Sequence, residues 1–187
     1  MQSFQPVQLT TDRLTLRPIT EADTEAMYAI FSDPIVMRYW STPPWENLEQ
    51  SRESIARDIE ALHTGDYLRL GIVQKDTNQL VGACTLFNFN WQCKRAEVGY
   101  ALARSAWGRR FMGEALAAFI EYAFTELALH RIEAEIDPRN TASAKTLERL
   151  GFLKEGHLRE RWIVNDEISD SDLYGLLGSD RGFQCWL

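Results

Sequence analysis

The stretch Glu97-Val98-Gly99-Tyr100-Ala101-Leu102-Ala103-Arg104-Ser105-Ala106-Trp107-Gly108-Arg109-Arg110-Phe111-Met112-Gly113-Glu114-Ala115-Leu116 decides the fold. Its first part belongs to Arg95 to Ala103, which reads as a strand, and its last part opens a helix with Leu116, Phe119, Ile120, Ala123 and Leu127 at helical spacing. A glycine-bearing turn between strand and helix presents main-chain N–H groups at a helix N-terminus, where about half a positive charge is available to an anion. Gly108 and Gly113 allow close backbone approach, and Arg104, Arg109 and Arg110 add positive charge to an otherwise acidic chain. Read alone, the segment is either a phosphate cradle or an ordinary strand-to-helix turn with solvated arginines.

Upstream, Leu14 and Leu16 share one face of a strand over Arg13 to Arg17, ended by Pro18. Thr20 with Asp23 resembles a capping box opening a helix through Ala26, Ile30 and Phe31, stopped at Asp33-Pro34. Tyr39 to Trp45 (YWSTPPW) is a loop, whose aromatics serve either core packing or a substrate entrance. Ile55, Ile59 and Leu62 predict an amphipathic helix. Tyr67 to Lys75 and Gln79 to Phe89 read as strands joined by a hairpin turn at Asp76-Thr77-Asn78. Downstream, Arg131 to Ile136 reads as a strand and Ser143 to Leu150 as a helix closed by Gly151. Two further strands fill Phe152 to Leu177, turning at Asn165-Asp166. Hairpins leading into a strand-helix-strand-helix unit predict an α/β fold with a central mixed, mostly antiparallel twisted sheet flanked by helices.

The chain has 187 residues, 45% hydrophobic and 25% charged, the balance of a folded globular protein of one domain spanning 1–187. A net charge of -7 argues against nucleic acid and acidic membrane surfaces as partners. Three cysteines, Cys84, Cys93 and Cys185, form no C-x-x-C pair, which predicts neither a disulfide framework nor a cysteine zinc site and points to a reducing cytoplasm. His63, His130 and His157 share no metal-ligand spacing, and the N-terminus reads as no secretory leader. Neither a G-x-S-x-G elbow nor a P-loop motif occurs.

The segment Trp107-Gly108-Arg109-Arg110-Phe111-Met112-Gly113-Glu114-Ala115-Leu116 resembles the acetyl-CoA motif of the GNAT superfamily, in the W-G-x-G-x-x-x-E-A-L form of its RimJ/RimL-like branch of ribosomal-protein alanine N-acetyltransferases. Asn140-Thr141-Ala142-Ser143, Leu150-Gly151-Phe152 and Glu155-Gly156-His157-Leu158-Arg159 resemble the N-x-x-S…G-F-x-x-E-G-x-L-R signature of the same branch, and Leu14 to Pro18 and Asp172 to Leu176 also fit. The resemblance implies a single GNAT-like domain that uses acetyl-CoA as co-substrate, without metal, to acetylate a primary amine. The acceptor would be a protein N-terminus or a small amine, and the protein a monomer or homodimer.

By the same resemblance, the main chain of Tyr100, Ala101 and Leu102 would hold the acetyl and pantetheine part. Trp107, Gly108, Arg109, Arg110, Phe111, Met112 and Gly113 would wrap the pyrophosphate, and Asn140 would bond the pantetheine arm. Glu97 is the candidate general base, acting through water, and Ser143 the candidate for orienting water or the leaving thiolate. The sequence departs from the family pattern at Arg110, where the family has glycine, and at Leu147, where many members carry the tyrosine that protonates the thiolate. A non-catalytic CoA-binding module is the alternative reading, and a nucleotide-phosphate enzyme a third.

Overall fold

The computed structural model describes residues 4, 5 and 7–183, with the backbone alone for 181–183, so Cys185 lies outside the described residues. Eight strands form one sheet: β1 (Leu9–Thr10), β2 (Leu14–Pro18), β3 (Leu68–Gln74), β4 (Gln79–Asn90), β5 (Arg95–Leu102), β6 (Arg131–Ile136), β7 (Leu153–Val164) and β8 (Glu167–Leu177). Their spatial order is β1-β2-β3-β4-β5-β6-β8-β7, and β5 with β6 is the parallel pair among antiparallel neighbours. Four α-helices accompany them: α1 (Thr24–Phe31), α2 (Leu48–Thr64), α3 (Phe111–Thr125) and α4 (Thr141–Arg149). The sequence-predicted α/β architecture with its mixed sheet is therefore the observed one.

Strand alternation sends successive side chains to opposite faces, and both faces are covered. Leu70, Leu86, Ala96, Val98 and Ile132 pack with Phe111, Leu116 and Phe119 of α3 and Leu147 of α4. On the other face Val73, Ala83 and Ala101 meet Met27 and Ile30 of α1 and Ile55 of α2. The helix α2 departs from its predicted stripe. Ile59 is 38% exposed, while the buried positions are Ser51, Ser54, Ile55, Asp58 and Ala61. The reason is a polar seam: Asp58 accepts from the Tyr67 hydroxyl at 2.8 Å, and the Arg69 guanidinium reaches both Ser54 and Asp58. Burial raises the Asp58 carboxyl above its ordinary range despite Arg69.

Local signals explain most boundaries. The Thr20 N–H donates to Asp23 at 2.8 Å, but the turn Glu21–Asp23 is a 3₁₀ turn and the α-helix starts only at Thr24. Asn47 caps α2 by accepting from the Gln50 N–H. At the end of α4, Gly151 takes φ +90° and the Phe152 N–H reaches back to the Leu147 carbonyl, the six-to-one bond of a Schellman cap. The helix α3 stops at Thr125, so Leu127 packs on the core from the following loop. In the 39–45 loop Trp40 and Trp45 pack on Phe31, with ring centroids 5.5 and 4.8 Å away.

The pairing of β5 positions everything that follows. It lies against β4 from Asn90↔Arg95 to Gly82↔Leu102, yet pairs with β6 only at Arg95↔Arg131, Ala96↔Ile132 and Glu97↔Glu133. From there β6 continues with β8 as far as Ile136↔Asp172. Beyond Glu97 the two strands diverge and leave a wedge in the middle of the sheet.

Candidate active site

The wedge has a charged base. Arg95 Nη1 lies 2.6 Å from a Glu133 oxygen, Arg131 Nε lies 2.7 Å from the other, and Arg131 also bonds Glu155. These bonds tie β5, β6 and β7 together just where parallel pairing ends. Above them one edge of β5 is open. The Ala103 N–H bonds the Val81 carbonyl on the β4 side, so by alternation the main-chain groups of Val98, Tyr100 and Leu102 turn into the wedge. Unpaired main-chain donors and acceptors at the centre of a sheet demand a partner, because leaving them dry costs free energy.

At the top of this edge stands the turn that the sequence singles out. A 3₁₀ turn over Arg104–Ala106 leads into Trp107-Gly108-Arg109-Arg110, where Gly108 has φ +74° and Arg110 φ +61°. Glycine suits such a backbone at no steric cost, whereas a residue with a Cβ is held there under strain. Space is not the issue at Gly108, because a Cβ at that position would meet nothing within 4 Å, so its backbone angle is what calls for glycine. The helix α3 follows, and its first intrahelical acceptor, the Arg110 carbonyl, takes the Glu114 N–H. The N–H groups of Phe111, Met112 and Gly113 therefore have no acceptor inside the helix. Turn and helix end together make an anion cradle at the mouth of the wedge.

The three arginines of this turn do different things. Arg104 pairs with Asp33 at 3.4 Å. Arg109 donates to the Gln74 side chain at 3.2 Å and lies 4.3 Å over the Phe111 ring, itself buried. Arg110 is exposed and its guanidinium has no partner among the described residues, so it is the arginine left to meet an anion. Glu114 holds the cradle in place. It accepts from the Thr11 hydroxyl (2.5 Å), the Arg13 N–H (2.9 Å) and the Arg13 side chain (2.7 Å), while Arg13 also bonds the Arg109 carbonyl. Burial opposes the Glu114 charge, but these donors outweigh it and hold the carboxyl below its ordinary range. The sequence motif contains Glu114, but its anchors in the turn between β1 and β2 are about a hundred residues away.

Two expectations for the strand end need amendment. The Trp107 indole N–H donates to the Leu102 carbonyl at 2.7 Å, so that acceptor is already engaged. The open acceptors of the edge are those of Val98 and Tyr100. The Tyr100 side chain also matters, not only its backbone. Its hydroxyl points across the wedge to the Ser143 carbonyl in the first turn of α4, at 3.5 Å, and burial pushes its pKa up to about 12. Leu147, at the position of the family tyrosine, is fully buried in the core beneath.

Asn140 caps α4 with its side-chain oxygen, which accepts from the Ser143 N–H at 3.1 Å. Its amide nitrogen has no bond among the described residues and remains available as a donor. Capping thus engages only the oxygen of this side chain. Ser143 is half-buried beside it.

Glu97 lies on the other face, with Gly99 and Ala101, and is the last β5 residue paired to β6. It accepts from the Asn88 amide at 3.0 Å. Thr85, Phe87 and Gly99 around it are only partly buried although they sit on central strands, which marks the floor of an open cleft. The structure thus gathers Tyr100, Asn140 and Ser143 on the α4 side and puts Glu97 on the opposite side, with the wedge between them. Other acids near the cleft are matched by arginines: Glu133 as above, Glu135 with Arg161 at 3.0 Å, and Asp137 with Arg139 at 2.6 Å. The 33–45 loop bridges the two arms, through Asp33 with Arg104 on one side and Tyr39 beneath the Arg139 guanidinium on the other.

This geometry has close parallels. Residues 13–153 match the acetyltransferase (GNAT) domain family. The N-acetyltransferase p20 of Bacillus licheniformis is 37% identical over 90% of this chain and 95% of its own. The [ribosomal protein uS5]-alanine N-acetyltransferase of Escherichia coli is 26% identical over 93% of this chain and 92% of its own. Among solved structures, the spermidine N-acetyltransferase of Vibrio cholerae in complex with CoA and spermine superposes with a TM-score of 0.81 at 25% identity, covering 91% of this chain and 98% of that one. The chain belongs to the GNAT family of acetyltransferases.

Proposed function

We propose that this acetyltransferase, acting as one domain over 1–187, moves the acetyl group of acetyl-CoA to a primary amine, and that its acceptor is a protein N-terminus rather than a polyamine. The wedge carries the first half of this reading. It offers an open β5 edge, the cradle at the α3 end and the free Asn140 amide, a set of donors and acceptors that suits a long thioester with a pyrophosphate at one end. Acetyl-CoA supplies the activated carbonyl; the chain supplies the rest. An N–H of the open edge, Tyr100 or Leu102, stabilises the charge that develops on the carbonyl oxygen. Glu97 takes the ammonium proton through water from the cleft face, so that a neutral amine attacks, and the second proton, shed by the nitrogen as the amide forms, goes to the departing thiolate, which leaves as the thiol. From the α4 side Tyr100, neutral because its pKa lies at about 12, donates a hydrogen bond to the departing sulfur without giving up its proton, with Ser143 beside it. A thiol with a pKa near 8.5 is too weak a base as thiolate to deprotonate such a phenol.

Charge pairing carries the second half. A polyamine needs several unmatched carboxylates, but Glu133, Glu135 and Asp137 are each paired with arginine, while Glu97 is hydrogen-bonded by the neutral Asn88 amide and also feels the charge of Arg161. One ammonium group is what such a cleft accommodates. The relatives span both chemistries, spermidine and the alanine of uS5.

Thiol release from acetyl-CoA, measured with an alanine-terminated peptide and with spermidine, tests the reading: higher kcat/KM on the peptide is expected, and binding of acetyl-CoA without turnover on any amine overturns it in favour of a non-catalytic CoA-binding protein. Glu97→Gln should lower kcat by about 100-fold with CoA affinity intact. Tyr100→Phe should lower kcat about tenfold, by the same factor at neutral and at mildly alkaline pH. Arg110→Gly should raise unfolding stability by about 1 kcal/mol while weakening CoA binding about tenfold at low salt, a loss that shrinks as salt screens the contact.

A further inference from the structure

Between Phe87↔Glu97 and Asn90↔Arg95 the strand β4 carries one residue more than β5, so Asn88 and Phe89 together oppose Ala96. This is a β-bulge, and Asn88 sits in it with φ +52°, a left-handed conformation that asparagine tolerates better than most residues. In an unbroken strand Asn88 would point to the face opposite Phe87 and its partner Glu97. The bulge cancels that alternation, and the Asn88 amide reaches the Glu97 carboxylate at 3.0 Å. Just beyond, an aromatic cluster pins the strand: Phe89 stacks on Trp91 at 4.6 Å and lies 5.4 Å from Phe4. The nearby guanidiniums hydrogen-bond other carboxylates, Arg95 with Glu133 and Arg161 with Glu135, and Arg161 acts on Glu97 only through its charge at longer range.

We propose that Asn88 is the positioning residue of the reaction: the bulge exists to aim its amide at Glu97, fixing the carboxylate toward the cleft without a guanidinium hydrogen-bonded to both of its oxygens. The inference rests on Glu97 as the base. A neutral donor holds one carboxylate oxygen in place and leaves the other to receive a proton, whereas a bidentate guanidinium would occupy both. The backbone strain at Asn88 is then the cost of that aim, as strained residues at functional sites commonly show.

Asn88→Gly keeps the bulge, since glycine accepts its φ freely, and removes only the amide. With acetyl-CoA and an alanine-terminated peptide, and spermidine as a second probe, its kcat should fall about tenfold or more, with KM for acetyl-CoA unchanged and the melting temperature equal or higher. In a Glu97→Gln background the same change should cost nothing further. A Glu97→Gln enzyme as active as the parent removes the base and the reading beneath this one. A strong Glu97→Gln defect with a fully active Asn88→Gly enzyme overturns the positioning role alone. An acceptor-independent check is the Asn88 side-chain amide NMR signal, which should move on Glu97→Gln; an unmoved signal means that the bond is absent in solution and the proposal fails.

Discussion

Parallel pairing between β5 and β6 lasts three residues, and the rest of the molecule is arranged around that brevity. A continuous ladder would satisfy the main chain of Val98, Tyr100 and Leu102 within the sheet and leave nothing to recognise a ligand. Instead β5 stays with β4 and β6 stays with β8, so each strand keeps one neighbour and gives up the other. The Arg95–Glu133–Arg131–Glu155 chain of ion pairs holds the fork closed at its base, while α3 and α4 brace its arms from one face. Exposed polar backbone in a protein interior is normally a defect. In the proposed function it is the binding edge.

The fork also separates chemical tasks in space. Alternation along β5 sends Glu97 to one face and Tyr100 to the other, three residues apart in sequence. In the proposed mechanism, proton removal and leaving-group stabilisation therefore fall on opposite sides of the reacting carbonyl, with no risk that the base and the phenol bond to each other. The Glu114 clamp to Thr11 and Arg13 sets where the cradle at α3 stands.

What could be seen in the sequence was whatever local pattern determines. Leu14 and Leu16, the hairpin turn at Asp76–Asn78 and the closure at Gly151 are local, and strand, turn and helix stand where their spacing places them. Ile59 misled because the inner side of α2 is held by polar residues answering Arg69 and Tyr67 on a different element. The wedge itself had no signature, since the point where two strands part depends on register between segments more than thirty residues apart. Asn88 was invisible for a sharper reason: one inserted residue changes which face a side chain occupies, and no composition or periodicity records it. Nor could sequence assign Trp107 to the Leu102 carbonyl, or sort Arg104 and Arg109 from Arg110.

The open β5 edge has an evolutionary corollary. A ligand gripped by peptide groups reads dihedral angles rather than side-chain identity, so the residues that bear the grip are free to drift as long as the strand stays extended and the following turn keeps its two left-handed positions. Arg110 is a case in hand, a bulky cation standing where the family pattern has glycine, in a left-handed backbone conformation. Selection on such a site acts on shape first, and new acceptors can be explored by changing the cleft face of the sheet while the donor half of the reaction stays as it was.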